Sequence, residues 1–136
     1  MNKPLDNIYK TVEGTFDGVN MRGADNKIYA MSGNYASKSR LVQGDKLKLL
    51  VLHDGTLIFK QIELVERVRF IGIVVEALGQ LMLKDAKTGR SYAVIASSFA
   101  FFKLKPGSEV AAITSKDATW AAIDSVIGEL EPEIEY

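Results

Sequence analysis

Apolar and polar residues alternate in short stretches along this chain, and each such stretch predicts a strand with one face against a core. Residues 1–10 have little periodicity and include Pro4, which predicts an extended lead-in. Residues 12–19 alternate with β-branched and aromatic types, residues 23–26 supply a Gly/Asp/Asn turn, and residues 27–32 form the next strand. Asn34 is placed to cap a short polar helix over residues 35–41 that ends before Gly44. Residues 46–52 put Leu47, Leu49 and Val51 on one face and Lys46 and Lys48 on the other, where the lysines read as protection of a strand edge. An Asp54-Gly55 turn then leads into a returning strand over residues 57–62.

The second half restates this order. Residues 67–75 match the strand around Gly14, residues 80–83 and 85–89 extend it into a turn, and residues 90–96 form a further strand. An aromatic helix over residues 97–104 is terminated by Pro106-Gly107, and residues 110–114 form the next strand. Residues 119–127 have both helical and strand character; alignment with the first hairpin favours strand. Sliding residues 27–66 by 63 positions gives seven identities in forty without a gap, including Tyr29 on Tyr92 and Gly44 on Gly107. About two or three would arise by composition, so the chain reads as an internal duplication. Its expected segments are a lead-in (1–10), a first ββαββ repeat (11–66), a second (67–128) and an acidic tail (129–136). With no linker between the copies, the halves are expected to interleave around one core.

Composition narrows the chemistry more than the fold. The absence of cysteine excludes disulfides, thiolate metal sites and cysteine nucleophiles, and implies a cytoplasmic protein. The apolar runs fall well short of the roughly 20 residues of a membrane helix, so no membrane association is expected. Formal neutrality conceals an uneven distribution, because Glu129, Glu131, Glu133 and Glu135 share the last eight residues. Residues 1–128 hold 17 basic and 13 acidic side chains, a mildly basic body.

The Gly44-Asp45 step between helix and strand, repeated as Gly107-Ser108, resembles the GD box of the cradle-loop barrels. Together with the order of elements and the Gly89-Arg90 strand opening, it makes the chain similar to tandem AbrB/MraZ-like swapped-hairpin proteins. The resemblance implies a mainly β fold, a pseudo-two-fold β-barrel from two ββαββ repeats with short helices, and a role in transcription or translation. Two small SH3-like or OB-like barrels in tandem are the competing solution.

No nucleophile elbow, phosphate loop or dinucleotide fingerprint is present, and the lone His53 sits in a hairpin turn, so no catalytic residue, metal or cofactor is expected. Basic residues do recur at or near matching places: Lys27 with Arg90, Arg40 with Lys103, and Lys38 and Lys105 close to the two helices. They predict a non-enzymatic nucleic-acid-binding module contacting the phosphates of DNA or RNA. The alternative is a protein-interaction or assembly module using strand edges, the acidic tail and the aromatic helix. In that helix Phe99 and Phe102 share a core-facing side and Phe101 points elsewhere. A homo-oligomer is compatible with either.

Overall fold

The computed structural model describes residues 7–129. Its first half contains β1 (Ile8–Phe16), β2 (Met21–Gly23), β3 (Ile28–Tyr29), α1 (Gly33–Ser39), β4 (Lys46–Leu52) and β5 (Leu57–Glu63). The second repeats the order with β6 (Val68–Ala77), β7 (Gln80–Asp85), β8 (Ser91–Tyr92), α2 (Ala96–Phe101), β9 (Ser108–Thr114) and β10 (Ala122–Glu129). Each half folds into an antiparallel five-stranded sheet, ordered β3-β2-β1-β4-β5 in one and β8-β7-β6-β9-β10 in the other. A three-stranded meander whose next strand returns beside the first is a Greek key, with the helix on the long connection. No helix among the described residues is long and apolar enough to cross a membrane.

Four expectations are corrected. Each half is βββαββ, not ββαββ: β2 spans three residues, too few to register as alternation, and β7 (Gln80–Asp85) is a strand of its own and not the extension of β6. β1 begins inside the expected lead-in: a bulge between Ile8 and Lys10 breaks the period that would have revealed it. Lys46 and Lys48 do not guard an edge, since β4 lies between β1 and β5. The α1 cap position is Ser32, without a side-chain cap bond, and the helix starts at Gly33, before Asn34. Residues 1–6 of the lead-in and 130–136 of the acidic tail lie outside the described residues.

The barrel does not form. Neither sheet closes on itself: no ladder among the described residues joins β3 to β5, β8 to β10, or one sheet to the other, and the nearest approach is a single parallel bridge from Ala93, just after β8, to Trp120, just before β10. β3 and β8 have two residues each, too short to carry a ladder to a far strand. Nor is there one shared core. Val12, Phe16, Met21, Leu47 and Leu49 belong to a buried cluster in the first half, and Val74, Leu83, Phe99, Val110 and Ile123 to another in the second. Ile95 of the second half packs against the first cluster.

The two sheets keep one register. Gly14 faces Leu47 as Gly72 faces Val110, and Met21 faces Tyr29 as Leu83 faces Tyr92. A side chain is excluded at both glycines: a Cβ at Gly14 would lie 2.1 Å from the Arg22 carbonyl oxygen, and one at Gly72 2.7 Å from the buried Leu83 side chain. The halves meet where α1 packs on α2, with the buried hydroxyls of Ser37 and Ser98 hydrogen-bonded at 2.6 Å. The Gln43 side-chain oxygen accepts from the Thr119 and Trp120 amides at 3.2 Å, and the Trp120 ring lies over Gly18.

Asp45 is the most connected polar group at the seam. Fully buried, its carboxylate accepts the Val42 amide at 2.9 Å, the Val65 amide at 3.0 Å and Arg67 Nη2 at 2.8 Å. It thus fastens the entrance of β4 to the connection between the halves. Ser108 holds the equivalent place at the start of β9, and its hydroxyl accepts only the local amide, from Lys105 at 3.0 Å. Asp45→Ala strands the Arg67 guanidinium and two amides, and the expected loss is about 3 kcal/mol. For Ser108→Ala it is about 1 kcal/mol. Urea unfolding followed by circular dichroism checks the order; a greater loss at Ser108 would contradict it.

Candidate nucleic-acid interface

The β7–β8 hairpin concentrates positive charge, and its turn explains how. β7 ends at Asp85, whose amide donates to the Arg90 carbonyl at 2.8 Å to close the loop. The loop is reversed at Gly89, where φ is +78° and a β-carbon would be strained. Asp85 Oδ1 accepts the Lys87 amide at 2.8 Å and the Thr88 amide at 3.3 Å, so the carboxylate is folded into its own turn and buried. Burial alone would raise its pKa; the Lys87 and Thr88 hydrogen bonds outweigh that and hold it below the ordinary aspartate value.

With that carboxylate turned inward, Lys84, Lys87 and Arg90 are the charged groups the hairpin leaves exposed. Lys84 and Lys87 border a shallow concavity of about 500 Å³ floored by Ile73 and Val75 of β6. Lys87 also borders one of about 430 Å³ with Arg69, Ile71 and Tyr92. Arg90 reaches the Ala118 carbonyl through Nη2 at 3.0 Å and lies 5.2 Å from the centroid of the buried Tyr92 ring. The aromatic faces here are engaged internally, Tyr92 stacking on Phe70 at 4.9 Å. The exposed chemistry is therefore cationic and aliphatic, suited to phosphates more than to base stacking.

The first half carries a weaker version. Arg22 on β2 stands where Lys84 stands on β7, yet its Nε is paired with Asp17 Oδ2 at 3.0 Å. Lys27 is exposed in the β2–β3 turn, and the neighbouring Asp25 accepts from the Tyr29 hydroxyl and lies 3.9 Å from Lys10. Arg40 is spent on the fold: its Nε meets Asp124 Oδ1 at 2.8 Å and its Nη2 donates to the Asp124 carbonyl at 2.9 Å. Arg69 shares that carboxylate at 3.4 Å. Lys38 is exposed in the last turn of α1, Lys103 is exposed beyond α2, and Lys105 is exposed before β9.

Of the residues singled out from sequence, Arg90 alone lies in the basic hairpin. Lys27 occupies the equivalent turn of the other sheet, while Lys38, Arg40, Lys103 and Lys105 follow the helices. Lys84 and Lys87 were missed, although their spacing along a strand and turn beside Arg90 was visible. Phe99 is buried, Phe102 packs on the core and Phe101 is 44% exposed, as helical spacing implied. His53 is exposed in its turn, edge-on to the Tyr9 ring at 5.6 Å. Among the described residues no cluster of three His, Cys, Asp or Glu is placed to hold a metal ion.

Comparison with protein-family models, curated proteins and solved structures returns no match to this chain.

The inward carboxylate makes the hairpin sensitive to acid. Because the folded pKa of Asp85 lies below the unfolded value near 3.8, its stabilisation is complete above that value and is lost as pH falls through the folded pKa. Asp85→Asn is expected to be less stable than the parent at pH 6, with the gap narrowing below pH 3.8. Urea midpoints across that range test this, and a gap that widens on acidification would refute it.

Proposed function

We propose that this chain is a non-enzymatic module that binds single-stranded nucleic acid, RNA or DNA, through phosphate contacts on the β7–β8 hairpin. The observation that carries the reading is the set of three exposed cations, Lys84, Lys87 and Arg90, on a hairpin whose one carboxylate is buried in its turn. Strand order supports it. Five-stranded Greek keys of the OB type use the face of their second and third strands, and the loops beside it, to hold oligonucleotides. In this chain those strands are β7 and β8, and in the other sheet β2 and β3. The warrant is one of architecture, and the cations give it chemical content.

Binding of this kind is led by counterion release and tolerates many sequences, because nothing on the hairpin is arranged to read base edges. A second reading, a protein-interaction module, draws on the exposed Phe101 ring of α2.

Fluorescence anisotropy with a labelled oligouridylate, titrated with potassium chloride, distinguishes them. Affinity is expected to fall steeply with salt. The combined Lys84→Glu, Lys87→Glu, Arg90→Glu protein should bind at least tenfold more weakly, and its log–log salt slope should be shallower by about 2. Absence of binding at low salt, or binding indifferent to salt, would sink the proposal. Loss of a captured protein partner on Phe101→Asp, with the triple variant unaffected, would favour the second reading.

A further inference from the structure

α2 borders a groove of about 690 Å³, within the range of roughly 300–1,000 Å³ common for small-molecule sites. Its walls are mostly apolar, with Leu81, Met82, Phe99, Leu104 and Trp120 prominent. Lys103 is the single charged residue lining it, and no carboxylate does.

The other half of the molecule indicates what that cation lacks. Lys103 and Arg40 stand at the same point of the two repeats, 63 residues apart, just past the helix and before a buried leucine. Both hold the left-handed conformation, with φ of +55° and +52°. The leucine that follows closes the turn in both, Leu41 donating its amide to Ala36 and Leu104 to Phe99. Arg40 is satisfied by the Asp124 carboxylate at 2.8 Å. Lys103 has no such partner among the described residues, and it faces an apolar concavity instead. A carboxylate delivered by a bound molecule would complete the same ion pair, and an aliphatic chain attached to it would cover the apolar walls.

We propose that this groove binds a small amphiphilic carboxylate, an aliphatic chain ending in an acid, with Lys103 Nζ on the carboxylate and the chain against Leu81, Phe99 and Leu104. The site is separate from the β7–β8 turn, and nothing in it depends on nucleic-acid binding.

Trp120 is the sole tryptophan of the chain and lines the groove, so its emission reports occupancy. The probe is decanoate, titrated below its micellar concentration, with decyltrimethylammonium as the oppositely charged control. Decanoate is expected to give a saturable change in Trp120 emission and the ammonium compound none. Lys103→Glu should weaken decanoate at least tenfold. Ala100→Phe, which fills the groove and leaves Lys103 in place, should do the same, and thermal unfolding of each variant confirms that it is folded. If Lys103→Glu does not fold, Lys103→Gln tests the charge. An equal response to both probes, decanoate affinity unchanged by either the charge or the filling substitution, or no saturable response would overturn the proposal. So would capture of an acidic aliphatic peptide by a groove that ignores decanoate.

Discussion

The buried carboxylate of Asp45 is the constraint on which the arrangement of the two sheets most depends. A carboxylate removed from water is costly unless its oxygens are occupied, and these accept two amides and a guanidinium. The amides come from Val42, just before β4, and Val65, just after β5, while Arg67 opens the second half. One side chain therefore satisfies the turn into a strand and fixes the link between the repeats. Gln43 adds to the same seam from one residue further along, bonding Thr119, Trp120 and Ser115. Two independently cored sheets are held in one relation by polar groups gathered within residues 42–45 and by the packing of two short helices.

Equivalent positions have then been given different work. Asp45 binds across the seam and Ser108 only within its own turn. Ala36 lets α1 lie close, whereas Phe99 at the matching site of α2 fills the second core. Arg40 is consumed by Asp124, and Lys103 is left facing a groove. In each pair the backbone geometry is common and the side chain is what differs. The first repeat directs its polar chemistry inward to join the halves, and the second leaves cations available at its hairpin and beyond its helix.

Much of this was legible in the sequence, and what was not has particular causes. Tyr29 and Tyr92, Gly44 and Gly107, and both helices occur at the 63-residue spacing, so repeat order and turns could be read directly. The partition of Phe99, Phe101 and Phe102 followed from helical geometry. Closure of the sheets could not be read, because it depends on β3 and β8 being too short to pair onward, and alternation does not report where a ladder stops. Arg40 reads from the sequence as a phosphate contact because its partner, Asp124, is 84 residues away. The basic hairpin was obscured by one residue: the β7–β8 turn is longer than the β2–β3 turn, so a gapless 63-residue shift sets Lys84 against Met21 instead of its structural counterpart Arg22.

Leaving both sheets unclosed exposes four edges, and each is blunted by its own device. β3 and β8 offer two residues apiece, which is too little template for an added strand. β10 carries register shifts at Ile123/Ser125 and Val126/Gly128, and such bulges interrupt the even spacing that a pairing strand needs. β5 is unbroken along most of its length, but it places Lys60 opposite Lys48 on the solvent face and Glu63 opposite Lys46. An approaching strand would meet the charge of Lys60 beside a like charge already present. The edges are thus poor sites for strand addition, whereas the β7–β8 turn presents exposed cations and the groove along α2 an unfilled apolar volume.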